Sequence, residues 1–201
     1  MDETVVADAI CASPLTGGLG CSDRRHRKPP LRDPTGVMPA TAAAPTAAWT
    51  VLVCGDRNRG DDGAAVVAAE RLPRRLRSAI RIRACGQLEP DELVSALLSG
   101  PCLILDTVRG VAPGAILEVS LRQLLSGDGS TPASTHALPM PIVVGLAAEL
   151  GAPLECGAFL GIGGSAFGPG QRLSPSVEAG IDDYVAAIVT HLRARGRTRR
   201  G

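Results

Sequence analysis

The sequence predicts a single α/β domain, a twisted and mostly parallel sheet of about five strands with helices on both faces. Three observations carry this. The runs Val51-Leu52-Val53-Cys54 and Cys102-Leu103-Ile104-Leu105 are continuously apolar, as strands buried on both faces must be. Segments of helical period alternate with them along the chain. Aromatic residues make up only 2% of the sequence, so the core must be built from Val, Leu, Ile and Ala, which suits a sheet covered by Ala-rich helices. A length of 201 residues, 45% of them apolar, is enough for one such core.

Residues 1–47 are rich in Pro, Ala, Thr, Gly and charge, show no sustained period, and are read as a disordered N-terminal extension. Cys11, Cys21 and His26 in that stretch fit no familiar metal-site spacing. Every motif described below follows Met38, so a chain beginning there is expected to suffice. The domain proper is expected over residues 48–195, with residues 196–201 an Arg-rich tail. Val51 to Cys54 form a first strand ending at Gly55, and a loop rich in Gly, Asp and Arg leads to a helix over about Asp62 to Arg77 that Pro73 bends or shortens. The alternation Ile80-Arg81-Ile82-Arg83-Ala84 predicts a strand near the sheet edge, and Glu89 to Leu98 a helix with Pro90 in its first turn. Cys102 to Leu105 is a buried strand ending at Asp106. After Pro113-Gly114 come a strand over Ala115 to Ser120 and a helix from Pro139 to Leu150 stopped by Gly151. Ala158 to Ile162 is the last strand, and Ser174-Pro175 opens a helix to about Arg195 with Val177, Ile181, Val185 and Ile188 on one face.

The net charge of +1 hides basic clusters near both ends: Arg24, Arg25, Arg27 and Lys28, then Arg193, Arg195, Arg197, Arg199 and Arg200. Without interleaved aromatics they read as solvated tails, and no nucleic-acid partner is expected. Lys28 is the only lysine, which argues against a phosphate-loop or Schiff-base enzyme. The six cysteines contain no C-x-x-C pair, and no apolar stretch resembles a signal peptide or a membrane span, so a reduced, cytoplasmic protein away from membranes is expected.

Ligands of open α/β sheets bind beyond the carboxyl ends of the strands, where Asp61-Asp62, Asp106 and His136 are expected to converge. Asp61 or Asp62 could equally be the cap or first-turn acid of its helix. Asp106, directly after four apolar residues, needs a cation or hydrogen-bond donors, and Arg109 is a candidate cation. A loop histidine such as His136 is more often merely solvated. Together the two carboxylates and the imidazole could hold a borderline divalent metal with positions left open.

Val51 to Gly63, with Arg59-Gly60-Asp61-Asp62-Gly63 leading into an Ala/Val helix through Glu70-Arg71-Leu72, resembles the opening motif of the hydrogenase maturation endopeptidases. Leu103-Ile104-Leu105-Asp106 with Ala112-Pro113-Gly114, Ser134-Thr135-His136, and Leu173-Ser174-Pro175-Ser176-Val177 resemble later motifs of that family, so the likeness spans about residues 50–192. The resemblance implies a protease that trims the C-terminal extension from the nickel-loaded large-subunit precursor of a [NiFe] hydrogenase. It implies that Asp62, Asp106 and His136 bind the metal and act in catalysis, and that Asp56 and Asp61 face the substrate. The metal would be nickel presented by the precursor, with another divalent ion such as zinc as the alternative. The first loop departs from the family pattern at Asp56-Arg57-Asn58, so a non-catalytic, nickel-dependent binding protein or chaperone on the same scaffold is the second reading. A serine hydrolase lacks its G-x-S-x-G elbow here, and the glycines around Gly55, Gly60 and Gly63 do not form a dinucleotide-binding fingerprint.

Overall fold

Strand β1 (Thr50–Cys54) is buried along its whole length, and its side chains divide between two cores. Leu52 and Cys54 enter one, Val51 and Val53 the other, as the two-residue period of a strand requires. In the computed structural model of the chain, which describes residues 48–126 and 138–197, a 3-10 turn (Gly60–Gly63) and helix α1 (Ala64–Arg71) follow. Leu72, at φ −56° and ψ 141°, is driven out of the helical region by the proline after it. A short helix α2 (Arg74–Arg77) then restarts the coil, so the helix expected over Asp62 to Arg77 is in fact a turn and two helices. The N-terminal extension and its metal-ligand candidates lie outside the described residues.

The remaining elements are β2 (Arg81–Gly86), α3 (Pro90–Ser99), β3 (Cys102–Val108), β4 (Ile116–Ser120), α4 (Leu121–Leu125), α5 (Met140–Glu149), β5 (Gly157–Gly163) and α6 (Pro175–Arg197). The five strands form one sheet in the order β2-β1-β3-β5-β4, in which every neighbour pair is parallel except β4 with β5. The exposed alternation of β2 belongs to an edge strand, as expected, whereas the strand that comes last in the chain lies inside the sheet. Helix α4 is held at its start by a capping box in which Ser120 and Gln123 satisfy each other's backbone N–H groups.

Both faces of the sheet are covered. On one, Leu52, Ile104 and Phe159 meet Leu93 and Leu97 of α3, Leu121 of α4 and Val143, Val144 and Ala147 of α5. On the other, Val51, Leu103, Leu105 and Leu160 meet Ala65 and Ala68 of α1 and Val177, Ile181 and Ile188 of α6. The small residues of α1 let it lie close to the sheet and to α6. Tyr184 of α6 is fully buried, and its hydroxyl donates to the Leu160 carbonyl at 2.6 Å. Further along α6, His191 lies edge-on to Trp49, with ring centroids 5.4 Å apart, and its Nδ1 is 2.6 Å from a Glu118 carboxylate oxygen on β4.

Candidate active site

The parallel strands β1 and β3 are paired as far as Val53 and Leu105. There β1 turns out of the sheet at Gly55, whose φ of 104° favours glycine. β3 continues through Asp106, Thr107 and Val108, held on its other side by β5, with Asp106 opposite Gly161. Asp106 is therefore inside a strand and not at its end, which corrects the expectation from the sequence. It stands one residue beyond the last β1–β3 pair, at the step where the chain has peeled away. By strand period it shares a face with Ile104 and Val108. Its carboxylate is fully buried, and Oδ1 accepts the Thr107 N–H at 2.7 Å.

The chain leaving β1 folds back over the strand end. A Cβ on Gly55 would stand 2.0 Å from the Asp62 carbonyl oxygen, so only glycine fits beneath the turn. Asp62 is 5% exposed, and the Asp56 N–H donates to its Oδ2 at 2.8 Å. Asp56 itself is exposed and accepts the Asn58 N–H at 2.9 Å, a local turn bond that shapes the loop. Asp62 thus lies in the turn over the end of β1 and Asp106 in β3 just beyond its last pairing with β1, each with one oxygen oriented by a backbone N–H. His136 lies outside the described residues. Arg109, expected as a cation for Asp106, has its guanidinium 4.0 Å from the centre of the Phe167 ring.

Asp61 is neither a cap of its own helix nor an open surface acid. The 3-10 turn has no side-chain cap bond, and the Asp61 carboxylate points across to the stretch joining β5 to α6. Oδ2 accepts from the N–H groups of Ser165 and Ala166, both at 2.8 Å, and from the Ser174 hydroxyl at 2.9 Å. Oδ1 accepts the Ser174 N–H at 2.6 Å. Burial pushes the Asp61 carboxyl up, but the N–H groups of Ser174, Ser165 and Ala166 outweigh it and hold the group below the ordinary carboxylate range. The backbone closes the same clasp: the Asp61 N–H donates to the Ala166 carbonyl at 2.6 Å, and the Thr107 hydroxyl to the Asp61 carbonyl at 2.8 Å. Ser165, Ala166 and Thr107 carry no motif in the sequence, and Ser174, which reads there as the opening of the last helix, donates its hydroxyl to Asp61. Partners 104 to 113 residues away from Asp61 leave no local signal, beyond a glycine-rich stretch after a strand.

Among the described residues no group of three His, Cys, Asp or Glu side chains stands close enough to hold a metal. The chemistry of the pair is nonetheless suited to a divalent cation. Two buried carboxylates supply hard oxygen donors and negative charge in a place where only a cation or hydrogen-bond donors can compensate them. Such a pair would need a further ligand from elsewhere to complete a coordination shell.

No family model matches the sequence, and no curated protein matches it. Solved structures do. The hydrogenase maturating endopeptidase HybD from E. coli superposes with a TM-score of 0.59 at 21% identity, over 74% of this chain and 94% of that one. The [NiFe] hydrogenase maturation protease HycI from Thermococcus kodakarensis gives 0.55 at 20% identity, over 73% and 93%. HybD from the same organism gives 0.55 at 18%, over 72% and 99%. No helix among the described residues is long and apolar enough to cross a membrane. The resemblance read from the motifs therefore holds at the level of architecture, and this chain has the α/β fold seen in the hydrogenase maturation endopeptidases.

Proposed function

We propose that the chain is an endopeptidase that removes the C-terminal extension from the nickel-loaded large-subunit precursor of a [NiFe] hydrogenase. The observation that supports this reading is a pair of buried carboxylates, Asp62 in the turn folded over the end of β1 and Asp106 in β3 just beyond its last pairing with β1, on a fold shared with endopeptidases of that kind. On this reading the nickel is cargo of the precursor. Asp62 and Asp106, together with His136, would complete its coordination, so that docking and sensing of the metal become one event. Two carboxylates and an imidazole offer no thiolate to favour nickel over zinc, so selectivity comes from the metal already seated in the precursor. Asp56, exposed on the loop above, is available to the substrate, whereas the Asp61 carboxylate is engaged in the clasp and acts by holding the Asp62 turn. The cytoplasmic location expected from the cysteine pattern belongs to the same reading.

The test compares nickel-free, nickel-loaded and zinc-loaded precursor, each incubated with the chain and weighed by intact mass spectrometry. Shortening of the nickel-loaded form alone is expected. Equal trimming of all three would remove the metal as the recognition signal. Tight binding of the nickel-loaded form with no shortening would instead favour the non-catalytic binding protein.

A further inference from the structure

A cavity of about 480 Å³ opens beside the candidate site, between the loop after β1, helix α1 and the stretch that precedes α6. Gly63, the neighbour of Asp62, forms part of its wall. Arginines from three separate parts of the chain line it: Arg57 from the loop, Arg71 from the end of α1, and Arg172 from the approach to α6. Glu178 is the one acidic residue in the wall. Bringing like charges from three places to one concave surface is unfavourable unless an anion meets them there.

The intramolecular partners are weak competitors. Arg57 pairs with Glu70, the two side chains being 57% and 48% exposed, and Arg71 with Asp182, at 47% and 88%. Pairs this wet contribute little and exchange readily for a better acceptor. Arg172 has no acidic partner among the described residues, and it is exposed. The ligand is more than a small inorganic ion, because the space is the size of a multi-atom ligand site and Val67 and Leu173 supply an apolar wall. Guanidinium forks suit carboxylates, which they can hold through two parallel hydrogen bonds.

We infer that this cavity is a subsite for the carboxylate-bearing C-terminal end of a peptide, anchored chiefly by Arg172. The inference rests on the proteolytic reading for the identity of that peptide. A chain whose scissile bond lies at Asp62 and Asp106 has its released tail within reach of a cavity walled by the next residue, Gly63. The tail's end would then be gripped while the bond upstream is cut.

The test uses the full chain and three probes: an N-terminally labelled hexa-alanine with a free C-terminal carboxylate, the same peptide as its C-terminal amide, and inorganic phosphate as competitor. Fluorescence anisotropy is expected to show the free acid binding at least about tenfold more tightly than the amide. Arg172→Ala should erase that difference and Arg172→Lys should restore part of it, because the charge returns without the fork. Arg75→Ala, an exposed arginine outside the cavity, should bind as the parent does and so controls for net charge. Equal binding of acid and amide, absence of binding, or an unchanged preference in Arg172→Ala would overturn the inference. Phosphate binding more tightly than the free-acid peptide would reassign the cavity to a phosphate ligand and overturn it too. The two proposals fail separately. A parent chain that shortens no nickel-loaded precursor sinks the protease while the anisotropy result stands. A parent that shortens it, with the KM unchanged in Arg172→Ala, sinks the subsite alone.

Discussion

Replacing Asp61 by alanine is the most informative single perturbation of the fold, because its carboxylate ties the turn carrying Asp62 to the start of α6. The substitution strips acceptors from three backbone N–H groups and one hydroxyl, at 2.6 to 2.9 Å. Each buried donor left unmet costs about 1 to 3 kcal/mol, and bonds to an ionised acceptor lie at the upper end. Ser165 is exposed and Ser174 half-buried, so water can meet part of the loss, and about 3 to 5 kcal/mol is expected in total. That is a large fraction of the roughly 5 to 15 kcal/mol that holds a domain of ordinary stability together. Urea unfolding followed by circular dichroism should show a lower midpoint at unchanged slope. Asp61→Asn keeps one oxygen but turns N–H donors toward other donors, and should lose roughly 2 to 3 kcal/mol. The same group sets an acid limit. Its folded pKa is depressed below the unfolded value, so its contribution is complete above about pH 4 and is lost as pH falls through the folded value. The acid unfolding of Asp61→Ala should therefore lack part of the parent's pH dependence in that window. A loss of under about 1 kcal/mol, the size of an ordinary helix cap, would refute the reasoning.

Three further outcomes are expected. Singly replacing Asp62, Asp106 or His136 by alanine should weaken nickel(II) binding, followed by calorimetry, by about tenfold or more, with double replacements costing less than the sum; three variants that bind as the parent does would dissolve the proposed site. Gly60→Ala should destabilise by more than Gly86→Ala in thermal melts: both glycines have φ near +60°, at 63° and 62°, but a Cβ on Gly60 would stand 2.5 Å from the Ala166 carbonyl oxygen and one on Gly86 meets nothing within 4 Å. Burial pushes the thiol of Cys54 well up and those of Cys85 and Cys102 up to about 12, so iodoacetamide at about pH 8 should leave all three unmodified until urea is added, as peptide mass mapping would show.

Local sequence carried the elements well where one principle dominated. The apolar runs at Val51 and Cys102 became buried strands, the alternation at Ile80 an edge strand, and Pro73 the break in a helix. It carried less where a partner decides. β3 runs past Asp106 because β5 remains beside it after β1 has turned away, and nothing in the run Leu103-Ile104-Leu105 encodes the reach of a neighbour. The insertion of β5 between β3 and β4 is likewise a choice of pairing and not of propensity. Helix α4 was overlooked although Ser120 and Gln123 spell its capping box, since five residues are too few to show a period. For the candidate site, the motif pattern picked out Asp62 and Asp106; both are buried, the first in the turn after β1 and the second inside β3. Asp61 sits in the first turn, as one of its sequence readings allows, but the clasp it makes is not legible locally because its partners come from the other end of the domain.

Helix α6 is reported on by two optical labels supplied by the chain itself, one within it and one packed against it. The sequence has one tyrosine and one tryptophan, so every phenol signal reports Tyr184 and every indole signal reports Trp49. Tyr184 lies at the part of α6 near the candidate site, with its hydroxyl bonded to the Leu160 carbonyl and 3.4 Å from that of Asp106, whereas Trp49 touches the helix through His191. The phenol is pushed well above its ordinary ionisation range, chiefly by burial, so ultraviolet difference spectra in alkali register release of that part of the helix and little else. Indole emission registers the other part. The two wavelengths together can separate loosening of the helix around the site from unfolding of the whole domain, with no dye and no substitution.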